Sequence, residues 1–412
     1  MIDVAVIGGG PAGMLAAVSA SKAGAKTVLF EKNEKLGKKL FITGKGRCNV
    51  TNSAPSDEIL KNIVSNPKFM YSALKTYGNT DICEAIESEG IKLKEERGGR
   101  IFPVSDHSSD IIKALKSMLD KAHVDVKLST EVKSVNVKED HFEILLKGDR
   151  SEKCRAVIIA TGGVSYVSTG STGDGYGFAE KMGHSIIDPL PSLVPLEIKE
   201  SWCSALQGLS LKNTGLKMYS SSKLLYEDFG EMLFTHFGVS GPMVLSASSF
   251  YHMKKSDECR IVLDLKPALS DEMLDERLIR EFTEKHEKHF INVLPELLPA
   301  KLVPVIQELS GTPAHKKCGE IKKEERRKLV TLLKNLEMHV TGTRGFDEAI
   351  ITKGGISVKE VSPKNMMSKI VPGLFFAGEV LDLDALTGGF NLQIAWSTGY
   401  SAGTGAAEYV LN

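Results

Sequence analysis

The stretch Met1–Glu31 constrains this chain most, because it reads as a complete strand, turn, helix and strand with a ligand requirement built in. Asp3-Val4-Ala5-Val6-Ile7 is a short apolar run suited to a buried parallel strand. It ends in Gly8-Gly9-Gly10-Pro11-Ala12-Gly13, a G-x-G-x-x-G fingerprint. Gly8 permits the tight turn, Gly10 lets backbone amides approach a pyrophosphate, and Gly13 brings the following helix close to the strand. The anion then rests on the helix N-terminus. A small-residue helix runs from Met14 to Gly24, and Lys26–Phe30 is the next strand. Glu31 closes the unit at the tip of that strand, where a carboxylate accepts hydrogen bonds from a ribose diol and repels a 2′-phosphate. Glycine-rich turns are common, so the motif alone says little. The strand before it, the helix after it and the distal acid, all in register, make it a dinucleotide site rather than an ordinary βαβ turn.

A second glycine-rich stretch, Thr43-Gly44-Lys45-Gly46-Arg47-Cys48-Asn49-Val50-Thr51-Asn52, is dense in cations and short polar side chains. It is suited to cover a pyrophosphate with Lys45 or Arg47 and to offer amides to a ring system. The neighbouring Lys38-Lys39 pair reads as solvated surface. Residues 57–90 read as helical, a strand follows Gly98-Gly99, and Ser108–Ala122 is an amphipathic helix. Val124–Leu128, Glu131–Val137 and His141–Leu146 alternate with period two, the pattern of a meander with one exposed face. Arg155–Ile159 is a buried strand ending in Ala160-Thr161-Gly162-Gly163, and the segment Gly170–Gly177 after it is either a flexible loop or a cap over a ligand. Pro189, Pro191 and Pro195 mark a boundary. From 191 to 340 the glycine fingerprints stop: 194–265 reads as short strands and 270–336 as mostly helical, with the mixed-sign run Lys322–Lys328 on a solvated helix face. The first pattern then returns in Gly373–Glu379, a buried strand ending in Ala-Gly-Glu. Thr387-Gly388-Gly389-Phe390-Asn391-Leu392-Gln393 follows and leads into a helix from Ile394. The two ends of the chain build one site.

At 412 residues the length allows two or three domains. Its 52 basic residues balance 52 acidic ones, so bulk charge suggests neither nucleic acid nor an anionic membrane as partner, and a small-molecule substrate is expected. The chain opens on a core strand without a charged and apolar leader, and no run approaches a membrane span; a cytoplasmic protein is expected. Six scattered cysteines never form C-x-x-C, which points to reduced thiols, no zinc or other metal, and no paired redox cysteines. No feature sets an oligomeric state.

Gly8, Gly10, Gly13 and Glu31, with Ala160-Thr161-Gly162 and Ala377-Gly378-Glu379, resemble the two-dinucleotide-binding-domain flavoproteins. More narrowly, Gly44–Asn52, Leu233–Pro242 and Thr387–Gln393 resemble the BaiN-type bacterial flavoproteins, a family that includes aminoacetone oxidase-like enzymes. The resemblance covers nearly the whole chain. It implies an α/β fold: a Rossmann-type, glutathione-reductase-like FAD-binding domain (1–190 plus 341–412) with an inserted β-rich, barrel-like subdomain (191–268) and a helical subdomain (269–340). The insertion is expected to roof the substrate cleft. It implies FAD held through Gly8, Gly10, Pro11, Ala12, Gly13, Glu31, Lys32, Gly44, Arg47, Cys48, Asn49, Thr51, Val132, Ala160, Thr161, Gly162, Gly378, Glu379, Gly389, Phe390, Asn391 and Leu392.

With FAD, the protein need only position a substrate, tune the flavin and admit or exclude oxygen. The helix beginning at Asn391 would present its positive end to the flavin pyrimidine carbonyls. Two side chains are candidates for the substrate side. His236 is read in an apolar strand before Gly238, as a proton donor or as a core histidine bonded to backbone. Tyr166, ahead of the glycine-rich segment, is read as a donor to an enone oxygen or as packing. The leading function is an NAD(P)H-dependent flavin reductase of an unsaturated carbonyl, a steroid or bile-acid enone among them. An oxidase of a small amine such as aminoacetone, and a flavin-binding protein without turnover, stand beside it. No second G-x-G-x-x-G unit is present for a nicotinamide nucleotide, so NAD(P)H would bind transiently in the substrate cleft.

Overall fold

Val, Ile and Ala dominate the first strand because both of its faces are covered. In the computed structural model, which describes residues 1–251 and 258–412, Val4, Ala5 and Val6 are fully buried. The chain divides into two units, Met1–Ser192 with Gly345–Asn412, and Leu193–Arg344.

The first unit is a Rossmann-type α/β fold. Strand β1 (Ile2–Ile7) leads to helix α1 (Pro11–Lys22), strand β2 (Thr27–Phe30) and helix α2 (Lys38–Gly46). Strand β3 (Arg150–Ile159), strand β4 (Leu374–Phe376) and helix α3 (Phe390–Leu411) complete the frame. Among the described residues the sheet has seven strands. Its path runs from Asp125–Lys127 through β2, β1 and β3 to Phe142–Leu146 and Val132–Val137. β3 is shared: residues 150–154 pair antiparallel with Phe142–Leu146, whereas Val157–Ile159 pair parallel with β4. The three-strand meander expected over 124–146 is therefore corrected. Its first member, Asp125–Lys127, lies parallel to β2 on the opposite edge, and β3 supplies the third strand. Period-two alternation reports one covered face and says nothing of which neighbour a strand finds.

Helices α1 and α3 meet backbone to backbone. A Cβ added at Gly399 would lie 2.5 Å from the Ala12 carbonyl oxygen, and one at Gly403 2.2 Å from that of Ala16. The small-residue composition of both helices thus encodes their contact rather than an amphipathic face. Trp396 of α3 is fully buried, and its indole N–H donates to the Val50 carbonyl at 2.9 Å, tying the C-terminal helix to the second glycine-rich stretch. Truncating an indole this buried costs about 3–5 kcal/mol.

The second unit contains a closed six-stranded barrel among its described residues, in the order Leu196–Ile198, Gly238–Ser240, Lys223–Phe234, Ser210–Ser220, Cys259–Asp264 and Leu336–Thr343. Two of the strands are eleven and twelve residues long, not short as their sequence suggested. The closing strand, Leu336–Thr343, comes after the helical stretch, so the composition break near 268 does not separate a complete β-piece from a helical one. Closure removes the exposed sheet edges, and it needs that late strand. The barrel shares one core with the helices, in which Leu274, Leu278, Val293, Ile306 and Leu333 pack with Leu216, Ile261 and Met338. The Lys322–Lys328 run lies mostly in solvent, as read, with Arg326 bidentate to Asp275 at 2.6 and 3.1 Å. No described helix is long and apolar enough to cross a membrane.

Candidate functional site

Parallel pairing aligns the strand ends, and that alignment assembles the site. Ile7 is in register with Phe30 and Ile159, and Ile159 with Phe376. Gly8, Glu31, Ala160 and Ala377 therefore leave the sheet side by side at its carboxyl edge, where ligands of open α/β sheets bind.

The three fingerprint glycines play different parts. A Cβ at Gly13 would sit 1.9 Å from the Gly8 carbonyl oxygen, and one at Gly8 2.5 Å from that of Ala160, so protein packing alone demands both glycines. Gly10 differs. Its φ of −79° and ψ of −178° suit any residue, and a Cβ there would meet no protein atom within 4 Å. The protein leaves that place open at the start of α1 and its free amides, space through which a pyrophosphate could reach them. Pro11 occupies the first turn of α1, and Ala12 packs against Gly378, whose amide donates to Thr398 Oγ1 at 2.9 Å.

Glu31 is buried, and its carboxylate is turned back to the fingerprint. Oε2 accepts from the Gly9 amide at 2.7 Å, and Oε1 from the Asn33 amide at 2.7 Å. Its own carbonyl accepts from the Thr130 amide, which brings the chain entering the strand at Val132 beside it. Lys32 pairs with Asp174 at 2.6 Å and with Thr172, so the segment Gly170–Gly177 is tethered to the end of β2.

The second glycine-rich stretch is a loop, as read, that begins where α2 loses helical backbone angles at Thr43, Gly44 and Lys45. Gly44, Lys45, Gly46 and Cys48 all take positive φ, between 58° and 83°. Arg47 does not stand free for a pyrophosphate. Its guanidinium pairs with Glu96 and Asp106 and lies over the Phe102 ring at 4.2 Å. Cys48 is fully buried, and burial pushes its thiol up to about 12, which fits a packing role. Thr51 Oγ1 contacts Gln393 Oε1 at 2.5 Å, and a Cβ at Gly389 would fall 2.4 Å from the Thr51 carbonyl oxygen. The two glycine loops are therefore in backbone contact at the start of α3. Phe390 is buried there and Leu392 half-buried. The Asn391 side chain is occupied: it accepts from the Ala385 amide at 2.9 Å and donates to the Ala385 carbonyl at 2.7 Å. Asn391 thus braces the preceding loop and leaves only its backbone amide, in the first turn of α3, for a ligand.

Two of these residues hold buried oxygens with no hydrogen-bond partner, Asn49 Oδ1 and Thr161 Oγ1. Buried polar atoms without partners are costly in a native fold and mark places where a ligand or water completes the set. With the open face of Gly10, the two helix starts, Glu31 and the left-handed Gly162 (φ +75°), they fit an extended flavin dinucleotide.

A family model for the HI0933-like protein Rossmann domain matches residues 2–405. The chain belongs to the HI0933-like, Rossmann-type FAD-binding family. It is 32% identical over 416 residues to a 3-dehydro-bile acid delta(4,6)-reductase of Clostridium scindens, covering 99% of this chain and 100% of that protein. It is also 33% identical over 401 residues to a ribosomal RNA dihydrouridine synthase of Haemophilus influenzae, covering 96% of each. Among solved structures, a 3-ketosteroid delta1-dehydrogenase of Sterolibacterium denitrificans superposes with a TM-score of 0.51 at 14% identity, covering 99% of each chain, a likeness of fold.

Other features near these strand ends were not visible in the sequence. Lys39, read as solvated surface, is half-buried and bonded to Glu379 and Ser165, which overturns that reading. Asp384 is fully buried, with Oδ1 lacking a partner, and burial pushes its carboxyl above the usual range. Burial pushes the neighbouring Asp382 carboxyl up and the Lys353 amine down. His236 is corrected in its placement and in its reading as a core histidine: it lies in the bend between strands Lys223–Phe234 and Gly238–Ser240, it is exposed, and its ring meets Phe237 edge-on. Among the described residues the buried histidine is His184, held by Ser368 Oγ at 2.8 Å. Tyr166 is half-buried and takes a left-handed φ of 54°, a strained conformation for a tyrosine that costs of order 1–3 kcal/mol and is concentrated at functional turns.

Proposed function

We propose that this FAD-dependent oxidoreductase uses NADH or NADPH to reduce a carbon–carbon double bond conjugated to a carbonyl, in a steroid-like or bile-acid-like enone. The observation that carries the reading is the chemistry common to two relatives matched over nearly their whole length. A 3-dehydro-Δ4,6 bile acid and a uridine differ in size and charge, yet each presents C=C in conjugation with C=O. When bound, FAD supplies the hydride chemistry. The chain's own tasks are to hold the dinucleotide at Gly10 and Glu31, to present the α3 amides to the flavin ring, and to deliver a proton to the carbon next to the carbonyl. Tyr166 and His236 are the side chains assigned to that proton.

A second reading, a uracil in ribosomal RNA, is favoured by the 33% identical relative. The zero net charge speaks against it, since RNA binding without a basic footprint is unusual. Anaerobic reduction of the yellow protein by NADH or NADPH, followed by addition of a 4-en-3-one steroid or of unmodified ribosomal RNA, separates the readings. Reoxidation by the enone alone supports the first and reoxidation by the RNA alone the second. Reduction by an amine, with reoxidation only by oxygen, overturns both.

His236→Ala becomes a clean test because the side chain is exposed. Its melting free energy should stay within about 0.5 kcal/mol of wild type, the usual range for a surface change. If His236 is the proton donor, turnover falls about 10²–10⁴-fold while reduction of the flavin by NAD(P)H keeps its rate in stopped flow. Unchanged turnover transfers the role to Tyr166.

A further inference from the structure

We infer that Lys39 is a positioning residue whose task is to neutralise Glu379, so that the Ala377-Gly378-Glu379 turn can face an anionic dinucleotide. The inference rests on the FAD reading of this site. Lys39 stands in the first turn of α2, and its ammonium has three donors. All three are used: Glu379 Oε2 at 2.7 Å, Glu379 Oε1 at 2.9 Å and Ser165 Oγ at 2.7 Å. No donor remains for a phosphate oxygen, which separates this lysine from one that grips the pyrophosphate directly. Both side chains are largely withdrawn from water, at 19% and 22% exposure, where a lone carboxylate would be strongly disfavoured.

Glu379 is correspondingly divided. Oε1 is saturated, accepting from the Thr352 amide at 2.8 Å and Ser165 Oγ at 3.0 Å besides Lys39. Oε2 accepts only from Lys39 among the described residues, so one lone pair is left for a hydroxyl of the dinucleotide. Thr352 Oγ1 in turn accepts from the amides of Val164 and Ser165 at 2.8 and 3.1 Å. One ion pair thereby joins α2, the turn after β3, the strand Ile351–Ile356 and the turn after β4. These segments include three of the stretches that carry the site, and Ile351–Ile356 lies outside the seven-stranded sheet, so the ion pair links parts that the sheet does not.

The test is a coupling measurement on FAD affinity, read by quenching of flavin fluorescence on titration into flavin-stripped protein. Lys39→Met leaves a largely withdrawn carboxylate uncompensated at the dinucleotide site and should weaken FAD binding about 10- to 100-fold. In a Glu379→Gln background, which keeps the Oε1 acceptor and removes the charge, the same Lys39→Met change should alter the FAD dissociation constant by less than about fivefold. A tenfold or larger loss in that background, or a double variant that does not fold where Glu379→Gln does, overturns the proposal, because Lys39 then serves something other than the Glu379 charge. So does a Lys39→Met single variant that binds FAD like wild type. If Lys39→Met does not fold alone, the comparison in the glutamine background still decides. Wild-type protein that takes up no FAD would defeat the cofactor reading itself, a result distinct from any of these.

Discussion

Gly10→Val is expected to abolish FAD binding while leaving the flavin-free protein folded. An added Cβ meets no protein atom within 4 Å and the backbone angles suit valine, so the weaker helix-capping preference of valine is the main cost to the fold, at about 1 kcal/mol. For a protein of this size that shifts the melting temperature by only about 1–2 °C. The branched methyls instead fill the space through which a pyrophosphate reaches the α1 amides. Loss of two charge-assisted hydrogen bonds at about 1.5–3 kcal/mol each corresponds to roughly 10²–10⁴-fold in affinity. Titration of FAD into flavin-stripped protein, paired with thermal melts of that apo-protein, reads both quantities. A variant that binds FAD within about threefold of wild type would show that the pyrophosphate does not pass Gly10.

Gly13→Ala, three residues away in the same motif, should do the reverse. Its Cβ would lie 1.9 Å from the Gly8 carbonyl oxygen and 3.3 Å from the Ala160 Cβ, and the first of these is backbone at the end of a buried strand. Neither can yield cheaply, so α1 must lift from the sheet and lose its contact with α3. Overpacking of this kind costs about 1–3 kcal/mol in ordinary cores, and a clash with backbone belongs at or above the top of that range. The apo-protein should therefore melt markedly lower, or accumulate in the insoluble fraction, before FAD is considered. An apo melting curve superimposable on wild type would refute the close-packing role of Gly13. The pair separates two demands that one motif places on the same turn.

Much of the site was legible in the chain because its determinants are local. Tight turns, helix starts and strand-end acids each depend on a few adjacent residues, and Gly8, Gly10, Gly13 and Glu31 could be assigned roles before any contact was known. Ala160-Thr161-Gly162 and Gly389-Phe390-Asn391 were recognisable for the same reason. Side-chain roles were not. Arg47 reads as a phosphate cation until Glu96 and Asp106 are seen to claim it. Asn391 reads as a ligand amide until its side chain is found on Ala385. His236 sits among apolar residues in sequence and in solvent in space, because the chain bends between two barrel strands at that point.

By itself the sequence determined the Rossmann frame, since backbone geometry and hydrophobic periodicity are written in short windows, and its motifs resembled the family that the family model matches. Only the tertiary structure decided which charges meet. Lys39 and Glu379 are separated by most of the chain, and nothing in a Lys-Lys pair at the start of a helix distinguishes a solvated ammonium from one that is half-buried and fully bonded. The same holds for the barrel, whose closing strand Leu336–Thr343 returns after a helical excursion, and for Asp384, whose burial depends on segments remote in sequence. Pairing across such separations is set by packing and by the need to satisfy buried polar groups, and those are properties of the assembled fold.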